Sequence, residues 1–142
     1  MVLYFKNVQM RFTLIIPVAP DRNAEIIECI KKLDYPKDKL HVVVVKGKNP
    51  SLNRNKGIEK SKGDYIIFLD DDAVIEEDYL KKVDEFLNEH PEIDVVGGPQ
   101  LTPIDDKWFP KVSGYALSSK FGAWKLSNRY VSNKESLDVD ET

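Results

Sequence analysis

The sequence predicts an α/β fold, a mainly parallel sheet with helices on both faces, and two observations carry that prediction. Short β-branched apolar runs alternate with segments whose apolar residues recur at helical spacing, and the connections between them are short. One of the runs, LHVVVV at 40–45, is apolar on both alternating faces, as in a strand covered on two sides. Such alternation implies right-handed crossovers, with ligands bound outside the carboxyl ends of the strands.

Residues 13–18 (TLIIPV) make a first strand closed by prolines. Residues 21–33 place Ile26, Ile27, Ile30 and Leu33 at helical spacing behind Asp and Asn residues that can cap a helix. Tyr35-Pro36 ends that helix, because the residue before a proline is pushed out of the α region, and 40–45 is the second strand. Pro50 suits the first turn of a helix over 51–61, with Leu52 and Ile58 inward and Gly63 as its stop. Residues 64–69 (DYIIFL) form the third strand. Residues 76–90 carry Leu80, Val83 and Leu87 at helical spacing, with acidic residues in the first turn, and 93–96 before Gly97-Gly98 are a fourth strand.

From Pro99 the pattern weakens. Pro103, Pro110 and Gly114 interrupt it, and 127–142 is polar and acidic without an apolar period. The chain therefore divides into an α/β domain over 1–101 and an incomplete extension over 102–142 whose C-terminus is expected to be disordered.

With 142 residues, 42% of them hydrophobic and 32% charged, the chain has the composition of an ordinary soluble domain with one core. Its apolar stretches are too short to span a bilayer. Residues 1–12 lack the apolar core and cleavage site of a signal peptide, so the expected location is the cytoplasm, the inner membrane face included. A net charge of −3 with dispersed lysines argues against nucleic acid as a partner. Cys29, the single cysteine, excludes an internal disulfide and reads as a packing residue. His41 and His90 read as structural, and Trp108, Phe109, Tyr115, Phe121 and Trp124 as completing a core, with an acceptor or membrane-facing surface as the alternative.

The most informative feature is Asp70-Asp71-Asp72, directly after the apolar run 66–69. Three adjacent carboxylates where a parallel sheet opens to ligand repel one another, and a divalent cation would relieve that repulsion. Oxygen-only ligands suit Mg²⁺ or Mn²⁺, which complete their shells with water and a substrate diphosphate. The plainer reading is one capping aspartate and two solvated ones. A diphosphate also needs positive charge, and the segment from Ser51 to Gly57 brings Arg54 and Lys56 into the opening turns of a helix. Arg54 is the candidate phosphate clamp.

These residues together resemble the family 2 glycosyltransferases of the Rossmann-like GT-A fold. The resemblance covers nearly the whole chain up to Gly98. It rests on Leu14-Ile15-Ile16-Pro17, the helix around Glu25 to Cys29 followed by Tyr35-Pro36, the valine strand, the segment Asn53 to Ile58, and the segment from Gly63 to Asp72. It implies a nucleotide-diphosphate sugar as donor, and transfer with inversion to an acceptor (glycan, lipid or protein). It also implies a metal at Asp72 and Asp70, with Asp71 on the ribose or in the metal shell. Arg54 would approach the diphosphate, and Pro17, Val18 and Ala19 would hold the base and ribose.

The chain departs from the family at two places. Lys46-Gly47-Lys48 stands where the family carries a base-binding aspartate, and Ala19 lies where an aromatic residue is common. The family's catalytic base comes from an acidic motif further along than this chain extends. Asp138, Asp140 and Glu141 read as the approach to that region, and no base is assigned. Two rival readings remain. Phe68 to Val74 also fits the motif of haloacid-dehalogenase-like phosphatases, with Asp70 as nucleophile and Asp72 as acid, although that motif normally follows the first strand. The other rival is a non-catalytic domain that binds a sugar nucleotide without transferring it.

Overall fold

The computed structural model describes residues 9–98. Strands β1 (Phe12–Val18), β2 (Leu40–Lys46) and β3 (Tyr65–Phe68) form one parallel sheet in the order β2-β1-β3. The helices are α1 (Ile27–Lys32), α2 (Pro50–Glu59) and α3 (Tyr79–Glu89), and a single 3₁₀ turn at Lys37–Lys39 leads into β2. In register, Phe12 lies opposite Leu40 and Tyr65, and Ile15 opposite Val43 and Phe68. β1 is paired on both edges, and Phe12 to Ile16 are fully buried.

The two faces of β1 feed two apolar clusters. Phe12, Leu14, Ile16 and Val18 pack with Ile26, Ile30, Leu33, Tyr35, Leu80 and Leu87, which places α1 and α3 on one side. Ile15 joins Val43 and Val45 on the other side, under α2. Gly57 brings α2 down onto β1 so closely that a Cβ there would collide with the Ile15 side chain. The α/β class with helices on both faces of a parallel sheet is thus the observed architecture. Buried Thr13 ties the return from α2 to the sheet, its hydroxyl accepting from the main-chain N–H groups of Lys62 (3.1 Å) and Gly63 (2.9 Å). Gly63 lies against the β1 backbone, where a Cβ would come within 2.6 Å of the Arg11 carbonyl oxygen.

Four local expectations are corrected. Residues 93–96 form no strand: a short apolar run becomes one only when a ladder partner is available, and Val95 is instead exposed. α1 is shorter than the 21–33 pattern and has no side-chain cap; the N–H of Ile26 donates to the carbonyl of Asp71 at 3.1 Å instead. On α2, Leu52 and Ile58 are exposed, and the inward positions belong to Asn53 and Gly57. Burial of the second and third strands is also one-sided in places, since Val44, Ile66 and Phe68 are each more than a third exposed.

The chain separates after Ile93 into two compact units, and every element named above lies in the first. The expected extension over 102–142, the five aromatic residues named above, and Asp138, Asp140 and Glu141 lie outside the described residues. No helix among the described residues is long and apolar enough to cross a membrane.

Candidate functional site

β3 delivers the aspartates to the carboxyl end of the sheet. The N–H of Leu69 still donates to the carbonyl of Ile15 (3.1 Å), so the chain follows β1 for one residue beyond the strand and then turns away, with Ala73 N–H donating to Asp70 O at 3.2 Å. The turn divides the carboxylates. The side chains of Asp70 and Asp72 are 61% and 58% exposed, whereas that of Asp71 is 8% exposed.

Each carboxylate meets an arginine. Arg54 Nη2 on α2 lies 3.4 Å from Asp70 Oδ1. Arg22, in the loop after β1, places Nε 3.2 Å from Asp71 Oδ2 and donates from Nη2 to Asp72 Oδ2 at 2.9 Å. The hydrogen bond to Asp72, and then the charge of Asp71, hold the Arg22 guanidinium above its ordinary pKa. A buried carboxylate such as Asp71 requires a counter-charge of this kind.

The neighbouring edge of the site is fastened by Asn53, which is 3% exposed. Its side-chain amide donates to the carbonyls of Gly47 (2.9 Å) and Val18 (3.4 Å), while Gly47 N–H donates to Val18 O at 3.0 Å. The carboxyl ends of β1 and β2 are thereby locked beside the first turns of α2. Asn49 caps that helix, its side chain accepting from Leu52 N–H at 3.1 Å, and Pro50 fills the first turn as the sequence predicts. Asn53 fixes the rotation of α2 about its axis, and Arg54 follows it toward Asp70.

Of the residues singled out from the sequence, Asp70 and Arg54 are brought into contact, and Asp71 and Asp72 share Arg22. Pro17 and Ala19 are half-buried at the same end of the sheet, and Arg22 N–H closes a turn on Ala19 O at 3.1 Å. The Val18 side chain belongs to the core, so only its main chain is available to a ligand, and its carbonyl is already engaged. Lys46, Lys48 and Lys56 are exposed.

Two residues of the candidate site were missed in the sequence. Arg22 lies 50 residues before Asp72 in a loop without periodicity, so no local pattern exposes it. Asn53 carried a signal: a polar residue four positions before a glycine on one helix face, where the apolar pattern was read instead.

Among the described residues no three Asp, Glu, His or Cys side chains converge as a metal cage. The aspartates still offer oxygen ligands only. Oxygen ligands are the kind that Mg²⁺ and Mn²⁺ take, and these ions need few of them from protein when a diphosphate supplies others. Among the described residues, two clefts lie elsewhere, one lined by His41, Lys60 and Lys62 and another by residues of α1 and β2.

A parallel α/β sheet with an acidic turn and an arginine-bearing helix at its carboxyl edge defines the class of the molecule. The chain belongs to glycosyl transferase family 2, whose model matches residues 19–139. It is also 35% identical over 83 residues to a protein of Haemophilus influenzae described as an uncharacterized glycosyltransferase, across 58% of this chain and 32% of that protein. The match thus spans about a third of the relative's length. No solved structure matches the chain significantly.

Proposed function

We propose that this domain binds a nucleotide-diphosphate sugar at the carboxyl ends of β1 and β3 and serves as the donor half of an inverting glycosyl transfer to a glycan, lipid or protein acceptor. The observation that carries this reading is the meeting of Arg54 and Asp70, which sets a cation for phosphate beside a carboxylate for a metal at the edge where parallel sheets bind ligands. Family membership supports glycosyl transfer as the class of chemistry. It leaves the phosphatase reading without support.

Asp72 and Asp70 would hold Mg²⁺ or Mn²⁺, which when bound supplies a Lewis acid to the leaving diphosphate. Arg54 adds a fixed positive charge on the phosphate oxygens, strongest where charge develops as the sugar leaves. The main chain of Pro17 to Ala19 would line the base and ribose, held in place by the Gly47 and Asn53 hydrogen bonds to Val18 O. Deprotonation of the acceptor is assigned to no residue among those described.

The test is calorimetric titration of UDP, GDP and dTDP with and without Mn²⁺, on the protein and on Asp72→Ala. Metal-dependent binding of one nucleotide that disappears in the variant is the expected result. A folded protein that binds none of the three refutes the donor site. A second reading, donor binding without transfer, would be selected by binding of a sugar nucleotide without release of its sugar to any acceptor or water.

A further inference from the structure

The two contacts of Arg22 differ in kind. Asp71, with its side chain 8% exposed, needs a permanent counter-ion, while the contact to Asp72 joins side chains that are 50% and 58% exposed and lies in water. The contact to Asp72 occupies the carboxylate that the donor reading gives to the metal. Asp71 sits between Asp70 and Asp72 in the turn, so a guanidinium anchored on it stays beside whatever binds there.

We infer that Arg22 is a positioning residue that keeps its hold on Asp71 and exchanges Asp72 for the donor's diphosphate when a divalent cation takes the Asp72 carboxylate. The inference rests on the donor-site reading above. The planar guanidinium suits the exchange, because one edge can stay on a carboxylate while the other turns to a phosphate. The loop that carries it is anchored at both ends of the movement: Arg22 N–H bonds Ala19 O (3.1 Å), and Ile26 N–H bonds Asp71 O (3.1 Å), so only the side chain has to turn. Before the donor arrives, Arg22 neutralises a carboxylate that the metal would otherwise attract. After it arrives, the same charge lies on the phosphate side.

Two effects of opposite sign follow for Arg22→Gln, which keeps an N–H donor near Asp71 and removes the charge. Mn²⁺ alone, titrated by calorimetry and by loss of the free-ion paramagnetic resonance signal, should bind roughly fivefold more tightly than to the wild type, whereas UDP, GDP or dTDP at saturating Mn²⁺ should bind roughly fivefold more weakly. Arg22→Lys, which keeps the charge, should leave Mn²⁺ affinity within about twofold of wild type, and thermal melts establish that both variants are folded. Mn²⁺ binding that is lost in Asp72→Ala yet unchanged in Arg22→Gln overturns the exchange and leaves the metal site standing. Nucleotide binding to none of the folded proteins at saturating Mn²⁺ overturns the donor-site reading and the exchange with it.

Discussion

Asn53 donates its side-chain amide to the main-chain carbonyl of Gly47 at 2.9 Å, joining a helix to the end of the strand that precedes it. The same amide lies 3.4 Å from Val18 O, so one buried group satisfies acceptors from both strands at the site. Asn53→Ala takes the donor from the Gly47 carbonyl and leaves Val18 O with the Gly47 N–H alone, and should lower stability by about 1–3 kcal/mol in urea unfolding. Asn53→Asp, nearly isosteric but without the amide donor, should do no better. Stability unchanged in both would show that the amide fastens nothing.

Gly57 is the position where α2 touches β1, and any side chain there meets Ile15. Gly57→Ala should destabilise by about 1–3 kcal/mol despite the better helix propensity of alanine, because overpacking outweighs it. Combined with Ile15→Ala, which removes the Cγ2 that the new methyl would meet, it should cost less than the sum of the two single changes, and the non-additivity of the pair is the measurement that checks the contact.

Asp64 accepts from Arg11 three times: from its main-chain N–H (3.0 Å), from Nε (3.2 Å) and from Nη2 (2.7 Å). These bonds lower its carboxyl pKa to about 2. A carboxylate with a depressed folded-state pKa adds stability above the pKa of the unfolded chain, close to 3.8, and loses it as pH falls toward 2. Wild type should therefore lose melting temperature faster than Asp64→Asn between pH 4 and 2. Parallel slopes in melts across that window would refute the linkage, and both partners are solvent-exposed, so the difference should be small.

On the proposed donor reading, Arg54 should separate diphosphate from monophosphate recognition. Arg54→Ala should weaken UDP, GDP or dTDP, whichever binds, by roughly tenfold at saturating Mn²⁺, with a smaller effect on the corresponding monophosphate. Equal losses on both nucleotides would place Arg54 on the α-phosphate or the ribose instead.

The three strands and the acidic turn were legible because each is a local signal: consecutive apolar residues, proline punctuation, and charge directly after an apolar run. α2 was located from Pro50, yet its orientation was misread. Leu52 and Ile58 suggested an apolar inner face, whereas the close approach of the helix at Gly57 leaves room inside only for a small residue and for an amide that serves main-chain carbonyls. The start of α1 was misplaced because its first N–H is satisfied by Asp71 O, far away in sequence, and not by a nearby Asp or Asn side chain. Arg22 shares that obstacle, since its partners are known only once β1 and β3 lie side by side. A fourth strand at 93–96 was an apolar run without a ladder partner.

The contact of Gly57 with Ile15 also bears on how this protein can change over generations. Arg54 stands one turn before that glycine on α2, so its height above the sheet is set by helix backbone resting directly on a β1 side chain. Sequence drift elsewhere in the core can alter volume without raising or lowering the arginine, because no thick layer of side chains intervenes. Drift at position 57 itself would lift the whole helix. The smallest residue of α2 is thus the one whose replacement would be felt furthest away, at a charge it never touches.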